Sequence, residues 1–316
     1  MQTRTSLKYE HNRICLNDNI IDNTITIDNI QYYMYYINPK FKNSKGAHSY
    51  VFALYEAQEY EDNPTPNKVI KISNNRDYAD SKSEANDRFY REIEVLKKCQ
   101  AIRLSNIVSI HADGQLWCLG KNKQGKSIKY YFPFYVMDYA SNDLKTYLEH
   151  NDISISDRVN LCLQIAYGLN ELYDLGYYHR DLKPDNILLF GNTWKIGDLG
   201  LVAFRDDDYD RMNEFIGPKG WITPEAMNKY LSEGNTGKAF DCKIDHQSDI
   251  FQLGKVFWYI IQGNAPIGTV KRRDYIDRND EIYALLKFML NHAKEKRPKS
   301  MEIVIKTLNR IAEKYY

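Results

Sequence analysis

His179-Arg180-Asp181-Leu182-Lys183-Pro184-Asp185-Asn186 gathers two acids, two cations, a histidine and a side-chain amide into eight residues. The apolar run Ile187-Leu188-Leu189 follows at once and reads as a short buried strand. Pro184 disfavours helix at Lys183, so the charged segment is a fixed loop. Both signs of charge beside a core strand are costly unless each group meets a partner. The residue types suggest those partners. Asp181 can accept a proton, Lys183 can sit beside it on an anionic group, and Asn186 can reach a metal ion. Downstream, Lys195-Ile196-Gly197-Asp198-Leu199-Gly200 sets a further acid between two glycines. Asp198 is an oxygen ligand of the kind a hard cation such as Mg2+ prefers.

Around this stretch the chain has 316 residues, enough for two lobes and a sizeable core. Hydrophobic residues make up 43% and charged residues 27%, an ordinary soluble composition. A net charge of +1 provides no broad basic field for nucleic acid or anionic membrane. No apolar run approaches the ~20 residues of a membrane span. Met1 to Thr5 leads into polar sequence, not into the apolar core of a signal peptide. Cys15, Cys99, Cys118, Cys162 and Cys242 are scattered, without Cys-x-x-Cys spacing. They read as reduced thiols of a cytoplasmic protein, neither a disulfide framework nor a zinc site.

The eight residues from His179 to Asn186 resemble the catalytic loop of eukaryotic-type protein kinases. Asp198-Leu199-Gly200 resembles their Asp-Phe-Gly metal-binding motif, with Leu for Phe. The resemblance implies an α+β, bilobal protein-kinase-like fold, with a β-rich N-lobe carrying one main helix and a mostly helical C-lobe. It divides the chain into an N-terminal extension (1–30), an N-lobe (31–138) and a hinge with C-lobe (139–316).

Residues 1–30 are polar and read as an extension with one strand at Ile25-Thr26-Ile27, either a tail or a regulatory flap. Ser44-Lys45-Gly46-Ala47-His48-Ser49-Tyr50-Val51 resembles the kinase Gly-rich loop. Gly46 matches, and Ser44 and Ser49 stand where the other glycines are usual. The resemblance puts Gly46 and Val51 on ATP, and Lys71, in the strand Val69–Ile72, on its α- and β-phosphates. Glu92 would hold Lys71 from a helix with Phe89, Ile93 and Leu96 on one face; Glu94 is the alternative. Residues 76–87 read as a polar connector. Ser105 to Val108 and the strand near Leu116-Trp117 continue the N-lobe sheet. Asp138, Tyr139 and Ala140 would form the adenine-binding hinge. Asp143 would bind ribose or cap the helix Leu144–Glu149, and Leu188 joins the nucleotide-binding set.

Trp221-Ile222-Thr223-Pro224-Glu225 resembles the Ala-Pro-Glu end of an activation segment, and Glu225 would pair with Arg297. Asp249 resembles the buried acid that anchors the catalytic-loop backbone; an ordinary acid of a helix N-terminus is the alternative. The implied reaction is transfer of the ATP γ-phosphoryl group to a protein hydroxyl. Asp181 orients the hydroxyl and accepts its proton, Lys183 steadies the transferred group, and Asn186 and Asp198 hold Mg2+. Lys183-Pro184 resembles Ser/Thr kinases, whereas Gly217-Pro218 departs from their usual Gly-Thr, whose Thr contacts the catalytic loop. A pseudokinase scaffold, or a kinase acting on tyrosine or a small molecule, stays open, as does the oligomeric state. The expected partner is a protein substrate, with no nucleic acid and no membrane. Between Leu201 and Ile222 there is no Ser or Thr, and Tyr209 is the sole hydroxyl. One carboxylate of Asp206, Asp207, Asp208 or Asp210 is expected on Arg180, ordering the segment without phosphate, more weakly and with more salt sensitivity. A solvated acidic loop, or a Tyr209 switch, is the alternative.

Overall fold

The computed structural model describes residues 2–38, 49–205, 207, 209–234 and 240–315. The chain forms two compact units, Met1–Ala101 with Ser109–Tyr139, and Ile102–Val108 with Ala140–Tyr316.

The strands of the first unit are β1 (Gln2–Glu10), β2 (Arg13–Cys15), β3 (Thr24–Ile27), β4 (Ile30–Tyr36), β5 (Ser49–Glu56), β6 (Lys68–Ser73), β7 (Ile110–Lys121) and β8 (Ser127–Asp138). Helix α1 (Asp87–Ala101) lies between β6 and β7 in the chain. Pairing runs β1-β3-β4-β5-β6-β8-β7, and β7 returns in parallel to β1, so the sheet closes into a barrel. β2 folds back antiparallel on the end of β1. Side chains alternate across a strand, and one parity from every strand fills the interior. Leu7, Ile14, Ile25, Met34, Phe52, Ile70, Leu116 and Phe134 all lie in this core. Each such burial contributes about 1.5–3 kcal/mol.

Residues 1–30 therefore carry three strands where the sequence suggests one. The inward positions of β1 are Thr3, Thr5, Leu7 and Tyr9. The Thr3 and Thr5 hydroxyls donate to the Thr26 and Thr24 carbonyls at 2.8 and 2.9 Å, which makes threonine acceptable on an inner face. Ser105–Val108 is a second correction. It does not continue the sheet of the first unit; Ile107 makes a parallel bridge to Ile196 in the second unit, where Ile107 and Val108 are buried. Nor is the stretch 76–87 merely a connector. Asp77 is buried and accepts from Asn86, from the Ser83 backbone and from the Tyr90 hydroxyl.

The other parity of β5, β6 and β8 aligns Val51, Lys71 and Tyr135 across the outer face of the barrel. α1 lies against that face through Phe89, whose ring is 5.6 Å from the ring of Tyr135.

The second unit contains β9 (Asn142–Asp143), α2 (Leu144–His150), α3 (Ile155–Asp174), β10 (Tyr177–Tyr178), β11 (Ile187–Phe190), β12 (Thr193–Ile196) and β13 (Ala203–Phe204). Helices α4 (Pro224–Ser232), α5 (His246–Gln262), α6 (Asp280–Met289) and α7 (Met301–Tyr315) follow. Asp245 and Ser248 form a capping box at the start of α5, and Gly263 closes it at φ 77°, a left-handed turn that suits glycine. α5 is buried along most of its length, polar Gln247, Ser248, Asp249, Gln252 and Lys255 included. Buried polar groups need partners, and Asp249 and Gln252 find theirs in the loop after β10. Among the described residues no helix is long and apolar enough to cross a membrane.

Candidate active site

In the first unit, Lys71 Nζ lies 2.8 and 3.0 Å from the two carboxylate oxygens of Glu92. The Tyr135 hydroxyl donates to Glu92 Oε1 at 3.0 Å, and the Lys71 ammonium stands 5.6 Å from the Tyr135 ring centre. Helical phase explains the choice of acid: Glu92 shares the buried face of α1 with Phe89 and Ile93, and Glu94 is exposed. Val51 is half-buried opposite Lys71. Gly46 and Ser44 lie outside the described residues. The Asp138 carboxylate meets His111 at 2.6 Å and Lys68 at 3.5 Å. Ala140 begins the longer stretch of the second unit and is half-buried.

In the second unit, α5 holds the loop between β10 and β11. The Asp249 carboxylate accepts from the His179 and Arg180 amides at 2.7 and 2.8 Å. One turn on, Gln252 accepts from the Leu182 amide at 2.9 Å and donates to the Arg180 carbonyl at 3.1 Å. His179 is wholly buried, which pushes its pKa down. Its Nδ1 accepts from the Asp181 amide at 3.2 Å, so in the neutral ring Nε2 donates to the Gly197 carbonyl, also at 3.2 Å. Arg180 adopts φ 67°, a left-handed conformation that strains a bulky residue and persists only where its surroundings hold it.

Asn186 stands in a 3-10 turn, Pro184–Asn186, and donates to the Asp181 carbonyl at 2.8 Å and to Asp181 Oδ2 at 2.9 Å. Lys183 Nζ is 3.5 Å from the same Oδ2. Burial, and then the charge of Asp198, push Asp181 up to about 6 against the pull of Lys183 and Asn186. Two carboxylates close enough to repel each other suit a cation. With its amide nitrogen committed to Asp181, Asn186 has its oxygen to offer such an ion. Asp143 caps α2 by accepting from the Thr146 amide at 2.8 Å, and it pairs across the sheet with Leu188.

Arg180 carries the segment that follows Gly200. Its Nε donates to the Leu201 carbonyl at 2.7 Å. Its two terminal nitrogens meet the Asp210 carboxylate at 2.6 and 3.1 Å. β13, in the same segment, pairs antiparallel with β10 beside the loop. Asp206 and Asp208 lie outside the described residues, and Asp207 takes the Tyr209 hydroxyl instead. At the far end, Arg297 makes a two-pronged pair with Glu225 at 2.8 and 3.0 Å, with both side chains buried. Burial pushes the Glu225 carboxyl up, but Arg297 outweighs it and holds the group below its usual range.

A family model described as protein kinase domain matches residues 45–314. The chain belongs to this family. A probable serine/threonine-protein kinase of Encephalitozoon cuniculi is 26% identical over 224 residues, covering 71% of this chain and 37% of its own length. A serine/threonine-protein kinase of Candida albicans is 27% identical over 181 residues, 55% of this chain and 16% of its own. A sensor for unfolded proteins in the ER of Schizosaccharomyces pombe is 34% identical over 134 residues, 36% of this chain and 12% of its own. The chain thus spans well under half the length of these relatives.

Within the kinase domain, two polar residues, one in each unit, escape a reading of the sequence alone. Tyr135 has the parity of Lys71 on the neighbouring strand, a signal that becomes readable once the register is known. Gln252 has only its place one turn after Asp249, and nothing in its local sequence marks it.

Proposed function

We propose that this kinase domain transfers the γ-phosphoryl group of ATP to a serine or threonine hydroxyl of a protein. The observation that carries the reading is the hold on Asp181. Its carboxylate is buried, raised to about 6, bonded by Asn186 at 2.9 Å and approached by Lys183 at 3.5 Å. A carboxylate raised that far is still mostly ionised at neutral pH, so it can orient a hydroxyl and take its proton. Lys183 then lies beside the transferred phosphoryl group. In the first unit the Lys71–Glu92 pair supplies a fixed ammonium for the α- and β-phosphates. Asp198 and the Asn186 oxygen would hold Mg2+, which when bound neutralises charge on the phosphates. Gly46, Val51, Asp138, Ala140, Asp143 and Leu188 complete the nucleotide-binding set on this reading, with the two units as the N-lobe and C-lobe of a bilobal kinase. Lys183-Pro184 and the names of the relatives favour Ser/Thr over Tyr. The absence of Cys-x-x-Cys spacing and the free thiols favour a reducing, cytoplasmic setting.

The test is transfer from γ-labelled ATP to a general protein substrate by wild type and Asp181→Ala. Wild type should label the substrate on Ser or Thr, and the variant should bind Mg-ATP without transfer. Nucleotide binding without any transfer by wild type would replace this reading with the scaffold alternative.

A further inference from the structure

We propose that Gln252 is the positioning residue that sets the backbone of Asp181, and through it the direction of the catalytic carboxylate. The proposal rests on the reading of Asp181 as the group that receives the acceptor proton.

Two peptide planes flank the Asp181 Cα, and together they fix its φ and ψ. The first carries the Arg180 carbonyl and the Asp181 amide. The second carries the Asp181 carbonyl and the Leu182 amide. Gln252 takes one group from each plane. Its Nε2 donates to the Arg180 carbonyl at 3.1 Å, and its Oε1 accepts from the Leu182 amide at 2.9 Å. The other two groups go to His179 Nδ1 at 3.2 Å and to the Asn186 amide nitrogen at 2.8 Å. All four polar groups around Asp181 are therefore engaged, and among the described residues Gln252 is the one side chain that bridges the two planes.

Glutamine suits this task because its amide presents a donor and an acceptor about 2.2 Å apart on a rigid plane. Neither a carboxylate nor an apolar side chain offers both. The surroundings leave Gln252 little freedom. It is 1% exposed, on a helix that is itself buried. Gly217 lies next to it, where a Cβ would stand 3.4 Å from both the Arg180 carbonyl and Gln252 Nε2. Gly217 has φ 116°. A Cβ at Gly217 would make ordinary contact with the clamp, so the backbone conformation and not crowding is what favours glycine there. Asp249 fixes the loop one step earlier, at His179 and Arg180, and does not reach the second plane.

The experiment pairs Gln252→Met, which keeps the length and loses both bonds, with Gln252→Glu, which keeps the acceptor for Leu182 and loses the donor for Arg180. Turnover, KM for ATP, and hydrogen exchange at the Leu182 amide are measured on each folded variant. A misplaced catalytic group can lower turnover by about a hundredfold. The expected result for Gln252→Met is a kcat about tenfold to a hundredfold lower, KM for ATP within about twofold of wild type, and Leu182 exchange at least about tenfold faster. Gln252→Glu should retain Leu182 protection and still lose kcat. Unchanged kcat with a lowered melting temperature would overturn the proposal, since Gln252 would then serve only the stability of α5. Unchanged Leu182 exchange in Gln252→Met would overturn it as well. If wild type transfers no phosphate, the kinase reading falls separately, and the exchange measurement still decides whether Gln252 holds the loop.

Discussion

Asp210→Asn tests whether the kinase domain orders its own activation segment without phosphate. The substitution keeps the shape and removes the charge opposite Arg180. Both side chains of this pair are nearly buried, at 4% and 7% exposure. Removing one partner of a buried ion pair leaves the other charge uncompensated, which costs about 3–5 kcal/mol. Arg180 keeps its bond to the Leu201 carbonyl at 2.7 Å, so the lower figure applies. About 3 kcal/mol lowers the ratio of ordered to disordered segment by roughly a hundredfold. A segment of this kind draws its order from few contacts, so turnover of phosphatase-treated enzyme should fall at least about tenfold. Asp210→Glu, which restores the charge, should recover part of it. Limited proteolysis between Leu201 and Gly220 gives a readout free of catalysis and should quicken in Asp210→Asn. Salt should matter little between about 0.05 and about 0.5 M, because a buried pair is poorly screened. The salt sensitivity expected of an exposed acidic run therefore does not apply to Asp210. Wild-type turnover and protease resistance in Asp210→Asn would refute the reasoning. So would loss of wild-type activity on phosphatase treatment or in Tyr209→Phe, which would make Tyr209 the switch.

Asp198→Ala should abolish transfer and weaken Mg-dependent ATP binding, whereas Asp181→Ala should leave that binding intact; calorimetric titration with and without Mg2+ distinguishes the two. The pKa of Asp181 is raised to about 6, first by burial and then by Asp198, so its basic form is lost as pH falls through that value. kcat/KM should drop tenfold per unit below a midpoint at or under about 6, lower once Mg2+ offsets Asp198, and a flat profile to pH 5 would exclude Asp181 as the base. Glu225→Gln leaves Arg297 buried without a counter-charge, a loss of about 3–5 kcal/mol that thermal unfolding should register as a fall of several degrees or more. Because the Glu225 pKa is lowered, the stability it contributes is present above the ordinary carboxylate range and is lost as pH falls through the depressed value.

The sequence was most legible where chemistry is dense. His179 to Asn186 and Asp198 hold functional groups that a core strand would not otherwise tolerate, so their order along the chain carries information by itself. Glu92 was readable from helical phase, because Phe89, Ile93 and Leu96 mark the buried face on which it lies. β1 was obscured because two of its four inward residues are threonines, and their buried hydroxyls find carbonyls only after β3 is in place. Ser105–Val108 is apolar and short, and nothing local decides which unit it joins. Four carboxylates could have faced Arg180; the choice of Asp210 depends on where the chain runs after β13 pairs with β10. Gln252 is invisible for a related reason. Its partners lie about seventy residues away, and they are backbone groups, which leave no trace in a string of side chains.

The closed barrel of the first unit means that the limits of family likeness and of independent folding differ in this protein. The family match begins at residue 45, after β4 has ended. A protein trimmed to that point would lose β1 to β4, and with them Leu7, Ile14, Ile25 and Met34 from the shared core. It would also bare the flanks of β5 and β7, each now covered by a neighbour. Unpaired strand flanks recruit strands from other molecules. A shortened kinase of this kind would be lost from solution by self-association before its catalysis could be judged. The residues ahead of the family match are, in folding terms, as much a part of the domain as the lysine that would grip the nucleotide.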